Sequence, residues 1–349
     1  MLMLQFAQFT TAFLLTRRKV MTELLKVHGS QNRFFILDQT KLQQELTDNE
    51  LVTLARQITS KENGLLDGAD GVLVVNRPVR EGATAQMRVI NADGSEASMC
   101  GNGLRTVARY VAERDGLEDF KVDTMDASLR VRKQPALAPG VPAFAVEISP
   151  VRFNKEALPY DHLGHERLLN TRVPELLPGF RFSGIAVPNP HLISFVDENG
   201  FKELGPLGEW LNGENPYFSD GVNVNFGHIL GPNKIFVKTY ERGVGFTNAC
   251  GTGMSATSLA FALIHPELAS FDEPITVFNP GGMVRTILHH ENHRYWIELI
   301  GNATFTHRIE VPEDSLHNAT VTDQNSKVVP TGEQEDYFKF INDLDKPEF

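Results

Sequence analysis

Cysteine is nearly absent from this chain: there are two among 349 residues. That scarcity argues against a disulfide-stapled secreted fold and fits a reducing cytosol, so a cytoplasmic protein is expected. Basic clusters are equally scarce. The net charge is −11, and Lys and Arg cluster only at Arg17-Arg18-Lys19, which argues against nucleic acid as a partner. No membrane partner is expected either. Met1–Leu15 is moderately apolar, but Gln5, Gln8, Thr10 and Thr11 interrupt it, and it is too short to span a bilayer. Its positive residues follow the apolar stretch, whereas a signal peptide carries them in front. A cleaner strand pattern begins at Met21-Thr22, so Met21 reads as the natural start and residues 1–20 as an extension with no role in the fold. Hydrophobic residues make up 41% of the chain, enough for a sizeable core, and the length points to about two domains.

What is present is one short stretch, twice. Cys100-Gly101-Asn102-Gly103 runs into a helical pattern ending near Arg114, with Leu104, Val107, Ala108 and Val111 on one stripe. Cys250-Gly251-Thr252-Gly253 does the same, with Ala256, Leu259, Ala260 and Leu263. Both cysteines sit at this one kind of place, about 150 residues apart, roughly one domain. A thiol at a helix start meets unpaired N–H groups and the positive end of the helix dipole, which favours the thiolate. The glycines leave N–H groups open to an anion such as a carboxylate. Two such thiols suit paired acid and base: one removes a proton from a carbon while the other returns one to the opposite face. The blander readings are a buried small hydrophobe, a structural disulfide and a zinc site. Zinc is the weakest, because neither cysteine has a second Cys or His at ligand spacing.

Other candidate residues lie on loops between apolar strands. His28-Gly29-Ser30-Gln31-Asn32 separates strands at Leu24–Val27 and Phe34–Asp38, followed by a helix over Leu42–Ser60. Asn91 opens a turn-rich loop leading into Cys100, and its simplest role is to bond its own backbone. Pro188-Asn189-Pro190-His191 precedes a strand over Leu192–Val196; a lone histidine there is more often structural than catalytic. Glu241-Arg242 ends a strand before Cys250. It is either a surface pair or a binder of an ammonium through Glu241 and a carboxylate through Arg242. Pro135, Pro139, Gly140 and Pro142 mark the expected domain junction. Glu313–Phe349 is polar and acidic and reads as a loosely docked or disordered tail, with one short helix near Asp336–Leu344.

These segments together resemble the diaminopimelate epimerase family. The likeness runs from about Leu24 to about Ile309 and is carried by His28–Asn32, Asn91–Gly103, Asn189-Pro190-His191, Asn223-Val224-Asn225-Phe226 and Glu241–Gly253. It implies an α/β (α+β) fold of two pseudo-symmetric domains. Each is a mixed, mostly antiparallel sheet curled around a central helix, with the active site in the cleft between them. The implied division is 21–142 and 143–298, with a last strand over 299–312 returning to the first domain and 313–349 outside the pattern. The resemblance implies catalytic roles for Cys100 and Cys250, with His191 and Glu241 helping to set the thiol pKa values. Gly101-Asn102 and Gly251-Thr252 would hold the carboxylate at the reacting carbon. Asn32, Asn91, Asn189 and Asn223, with Glu241 and Arg242, would bind the rest of the substrate. Three positions depart from the family's habit: Arg33 after Asn32, Phe246 before Thr247, and Gly71.

The implied reaction converts LL-2,6-diaminopimelate to the meso form, a precursor for lysine and peptidoglycan. No cofactor is expected, since nothing in the sequence points to a pyridoxal or metal electron sink. The two helix starts would then stabilise the carbanion in a closed, dry cleft. The partner is thus a small molecule, and a homodimer is left open. Two other readings stay open: a sister racemase acting on proline, hydroxyproline or histidine, and a thiol redox protein working through a reversible disulfide.

Overall fold

The structure, a computed structural model, describes residues 20–345 and Pro347. The expected extension therefore lies almost wholly outside the described residues. The first half runs β1 (Met21–Gly29), β2 (Asn32–Asp38), α1 (Asp48–Ile58), β3 (Gly71–Asn76), β4 (Ala85–Asn91), β5 (Glu96–Ala97), α2 (Gly101–Asp115), β6 (Asp119–Asp123), β7 (Ser128–Ala138) and β8 (Val141–Ile148). After a long connection holding the short β9 (Thr171–Arg172), the second half runs β10 (Arg181–Ala186), β11 (Pro190–Phe195), α3 (Leu204–Leu211), β12 (Asn223–Gly231), β13 (Lys234–Glu241), β14 (Gly245–Thr247), α4 (Gly251–Ile264), β15 (Pro274–Asn279), β16 (Gly282–Glu291) and β17 (Arg294–Asn302). Then come β18 (Thr304–Pro312), α5 (Glu313–His317), β19 (Lys327–Pro330) and α6 (Glu333–Asn342).

The halves repeat one topology. β2 lies parallel to β3, β3 antiparallel to β4, and β4 parallel to β6. In the same way β11 lies parallel to β12, β12 antiparallel to β13, and β13 parallel to β15. β17 joins the halves by pairing with β8, and β18 returns to pair with β1. The fold is thus a mixed, mostly antiparallel α+β sheet in two pseudo-domains. α2 and α4 are the central helices. Every residue of α2 from Gly101 to Ala112 is buried, and α4 is buried on nearly every side. A helix enclosed by sheet needs apolar or small residues all round, and α4 supplies them with Ala256, Ala260, Ala262, Ser255 and Ser258. One continuous core runs through both helices. Separate clusters sit outside each half, under α1 in the first and α3 in the second.

Three expectations change. The helix expected over Leu42–Ser60 begins only at Asp48, because Thr47 and Glu50 form a capping box that starts it there. The proline-rich stretch expected as a domain junction is the β7–β8 hairpin. Ala138 pairs with Val141 across Pro139-Gly140, Pro135 sits where the register shifts, and Gly140 has φ +74°. The third change concerns Glu313 onward, which is built into the fold. Buried Glu313 caps the backbone of Gln43 and Gln44, and β19 adds a strand beside β18. Glu333 grips Arg109 of α2 with both oxygens, at 2.6 and 2.7 Å. Tyr337 of α6 is 1% exposed and stacks edge-on against His28. Its hydroxyl donates to the Gly281 carbonyl at 3.0 Å. An acidic composition hid this, because the residues that dock are spread among many that face water.

Tyr337→Ala is expected to cost about 3–5 kcal/mol through lost burial, and Tyr337→Phe about 1 kcal/mol through the lost hydrogen bond. Urea unfolding of the three proteins checks both. Equal stability of Tyr337→Ala and the unaltered protein would mean the segment does not dock.

Candidate active site

Cys100 and Cys250 are N-caps. Each has extended backbone, and each sulfur accepts a bond from the amide three residues on, Gly103 or Gly253, at 3.4 Å. A sulfur in that position takes one of the donors that a helix start leaves unpaired. The two helix starts meet. A Cβ on Gly251 would lie 4.0 Å from the Gly101 Cα and 2.8 Å from a Leu299 methyl, and one on Gly253 would lie 2.3 Å from Asn225 Oδ1. Side chains at these glycines would force the helix starts off their supports. Both thiols are free, so no disulfide links them here.

The thiols line one cavity of about 470 Å³, within the range of small-molecule sites. Asn32, Gly101, Asn102, Asn189, Glu241, Arg242, Gly251 and Thr252 share its wall. Asn32 is held by Asp70, whose Oδ2 accepts from the Asn32 amide at 2.7 Å and from the Arg33 N–H at 2.9 Å. That leaves Asn32 Oδ1 facing the Cys100 sulfur at 3.5 Å. Asn102 ties the halves together by donating to Asn32 Oδ1 and to the Ala249 carbonyl. Glu241 accepts from the Thr247 hydroxyl at 2.6 Å and is also hydrogen-bonded to Cys250. Burial raises the Glu241 carboxyl above the usual carboxylate range, although these bonds oppose it. Burial also pushes both thiols up, and Glu241 adds to the rise at Cys250.

Three expected residues stand outside the cavity wall. Asn91 bonds the Ser95 hydroxyl at 3.0 Å. Asn223 accepts from the Arg242 N–H at 2.9 Å and donates to the Pro190 carbonyl at 3.0 Å, so it supports two wall residues from behind. His191 is fully buried. Its Nδ1 takes the Asn225 amide and its Nε2 meets Asn189 Oδ1, both at 3.0 Å. No hydrogen bond joins it to either thiol. Among the three departures, Phe246 packs edge-on to Tyr240 and is 55% exposed, away from the cavity.

Sequence reasoning passed over several neighbours. Asp70, Asn225 and Arg105 hold wall residues in place, while Ser98, Met99 and Asp126 line the wall directly. Asn225 was detectable in principle, since it shares the inward face of β12 with Asn223. Arg105 was detectable as a charge next to the apolar stripe of Leu104, Val107, Ala108 and Val111. Nothing local marks Asp70 or Asp126.

A mixed α+β fold of two like halves, with a thiol at each of two abutting helix starts, defines a cleft enzyme scaffold rather than a binding module. Solved structures share the fold. A Bacillus anthracis phenazine biosynthesis protein of the PhzF family superposes with a TM-score of 0.60 at 14% identity, covering 84% of this chain and 99% of that one. A hydroxyproline epimerase from Agrobacterium vitis gives 0.52 at 16% identity, covering 81% and 88%. Sequence narrows the assignment. The diaminopimelate epimerase family profile matches residues 24–134 and 185–306. Curated proteins named diaminopimelate epimerase are 53% identical in Ligilactobacillus salivarius (92% of this chain, 99% of that protein) and 51% in Lactiplantibacillus plantarum (93% and 99%). The chain belongs to the diaminopimelate epimerase family.

The buried histidines make stability depend on pH. Burial lowers His28 and His191 from 6.5 to about 3, so both are neutral in the folded protein. The unfolded chain takes up these protons below about pH 6.5. Their contribution is therefore full above pH 6.5 and is lost as pH falls toward 3. At pH 5 the loss is about 2 kcal/mol for each. Urea titrations at pH 8 and pH 5 should show it, and His191→Gln should shrink the drop by about 2 kcal/mol. An unchanged drop in that variant would mean His191 is already charged when folded.

Proposed function

We propose that this protein is an epimerase that converts LL-2,6-diaminopimelate to the meso form by transferring protons through two thiols, without a cofactor. The observation that carries the reading is the placing of Cys100 and Cys250, each capping a helix start, on one cavity wall. One sulfur, as thiolate, takes the α-proton. The C–H electron pair stays on carbon, and the other sulfur gives its proton to the opposite face. The reacting carboxylate rests on the open N–H groups at Gly101-Asn102 and Gly251-Thr252, where two helix dipoles converge and stabilise the developing negative charge. Glu241 is the partner of Cys250 and takes up proton density when that thiol ionises. His191 acts through Asn189, and Asn223 through Arg242. Arg242, with Asn32, Asn91 and Asn189, meets the distal amino-acid end. Asn91 reaches the substrate when the two halves close on it, a step that also expels water. Relatives about half identical over nearly their whole length bear the diaminopimelate epimerase name, which favours this substrate over proline-type ones. A cytoplasmic setting suits two free thiols, and the meso product serves lysine and peptidoglycan synthesis.

Proton exchange tests the reading. Reduced protein with LL-diaminopimelate in deuterated water should wash deuterium into the α-position and form the meso isomer. Cys100→Ala and Cys250→Ala should each lower the epimerisation rate by at least about 10³-fold. Exchange with proline or hydroxyproline but not diaminopimelate would replace the substrate. No exchange with any amino acid under reducing conditions would overturn the epimerase reading in favour of a redox one.

A further inference from the structure

Arg105 is the largest fully buried side chain, with 0% exposure. A buried guanidinium ordinarily has a carboxylate beside it, because an unpaired charge in low dielectric is costly. Arg109, one turn further along α2, follows that rule, with Glu113 on one side and Glu333 on the other. Arg105 does not. Its Nε donates to the Asn302 carbonyl at 3.2 Å, and its Nη2 to Ser30 Oγ at 3.2 Å and Asn102 Oδ1 at 3.0 Å. Its Nη1 has no partner, and no ion pair forms at this residue among the described residues. The guanidinium thus lies under the start of α2 with neutral acceptors only.

The internal repeat supplies a control. Counting from each cysteine, Arg105 stands five residues after Cys100 and Ser255 five residues after Cys250. Ser255 bonds the Gly251 carbonyl of its own helix. Nine residues before the cysteines stand Asn91 and Glu241, which end the equivalent strands β4 and β13. The two halves therefore differ in charge at both matched places. The first has a cation and a neutral amide, the second a neutral hydroxyl and a carboxylate.

We propose that Arg105 is a positioning residue whose uncompensated buried charge makes Cys100, not Cys250, the thiol that ionises first in the empty site. The groups facing Cys100 weigh as follows. From α2, Arg105 and the N–H groups of Asn102 and Gly103 favour the thiolate. From the second half, Glu241 opposes it. From the start of β2, Asn32 Oδ1 also opposes it by accepting from the thiol. His28 on β1 is neutral, and Tyr337 on α6 keeps its proton because burial raises its pKa. At Cys250, Glu241 is a direct partner that opposes the thiolate, while the Thr252 hydroxyl and the Gly253 N–H favour it. Arg105 also holds Asn102 and Ser30 in place. Its loss would disturb geometry as well as charge, so the test must read ionisation.

The inference rests on the two-thiol reading but is measured without substrate, so its failure and that of the exchange assay are separate results. Iodoacetamide alkylation of the reduced protein across pH 6–11, with each cysteine followed by peptide mass spectrometry, gives a midpoint for each thiol. Midpoints are compared rather than rates, because Cys250 is the less accessible. The expected order is Cys100 below Cys250 by at least one pH unit. Arg105→Met should raise the Cys100 midpoint by about one unit or more and leave Cys250 unmoved, and Arg105→Lys should restore most of the shift. A lower midpoint for Cys250 in the unaltered protein overturns the proposal, even if Arg105→Met does not fold. So does an unmoved Cys100 midpoint in a folded Arg105→Met protein.

Discussion

The constraint on which the rest depends is the meeting of two helix starts. An α-helix starts with unpaired N–H donors, and burying such a start without acceptors is costly. Here two are buried against each other, and each uses a cysteine sulfur as its cap. The glycines after each cysteine allow the approach, since a Cβ at Gly251 or Gly253 would collide with Leu299 or Asn225. Gly101, Asn102, Gly251 and Thr252, at the two helix starts, line a shared cavity, and helix-start donors suit an anion. The curled sheets, the buried faces of α2 and α4, and the bridge from Asn102 to Ala249 all hold this junction in place.

The junction is symmetric in backbone but not in charge. Proton transfer between two faces of a carbon needs one group charged and one neutral at any moment, so identical environments would leave the order of ionisation undecided. The repeat departs from symmetry of charge through few substitutions. Glu241 stands where the first half has Asn91, and Arg105 stands where the second has Ser255. His191 and Asn225, which belong to the second half alone, form a neutral buried network that orients Asn189 without adding charge near either sulfur.

The C-terminal segment belongs to the same logic. Tyr337 packs on His28 and bonds the Gly281 carbonyl. Gln31 donates to that same carbonyl, while the Gly281 N–H reaches the Asn248 carbonyl. The β1–β2 turn and the loop ahead of Cys250 are thus both tied to Gly281, which Tyr337 holds from behind. Glu333 meanwhile neutralises Arg109, which leaves Arg105 as the unpaired cation of α2.

The sequence by itself determined the two thiol-capped helices, most strands of both halves and ten of the wall residues. Each is written in local chemistry: a Cys-Gly-polar-Gly start, a period of 3.6 or 2, an asparagine at a strand end. It could not show that Pro135–Pro142 turns a hairpin, because a proline-rich turn and a proline-rich linker have the same composition. Nor could it show the docking of Glu313–Asn342, whose few buried side chains are separated by many solvated ones. Tertiary structure alone decided that Asp70 orients Asn32, that His191 bonds Asn189 and Asn225, and that Arg105 has no counter-ion among the described residues. Those facts depend on which groups from distant strands arrive at the same point, and on what desolvation then does to their charges. Neither quantity is a property of any short stretch of chain.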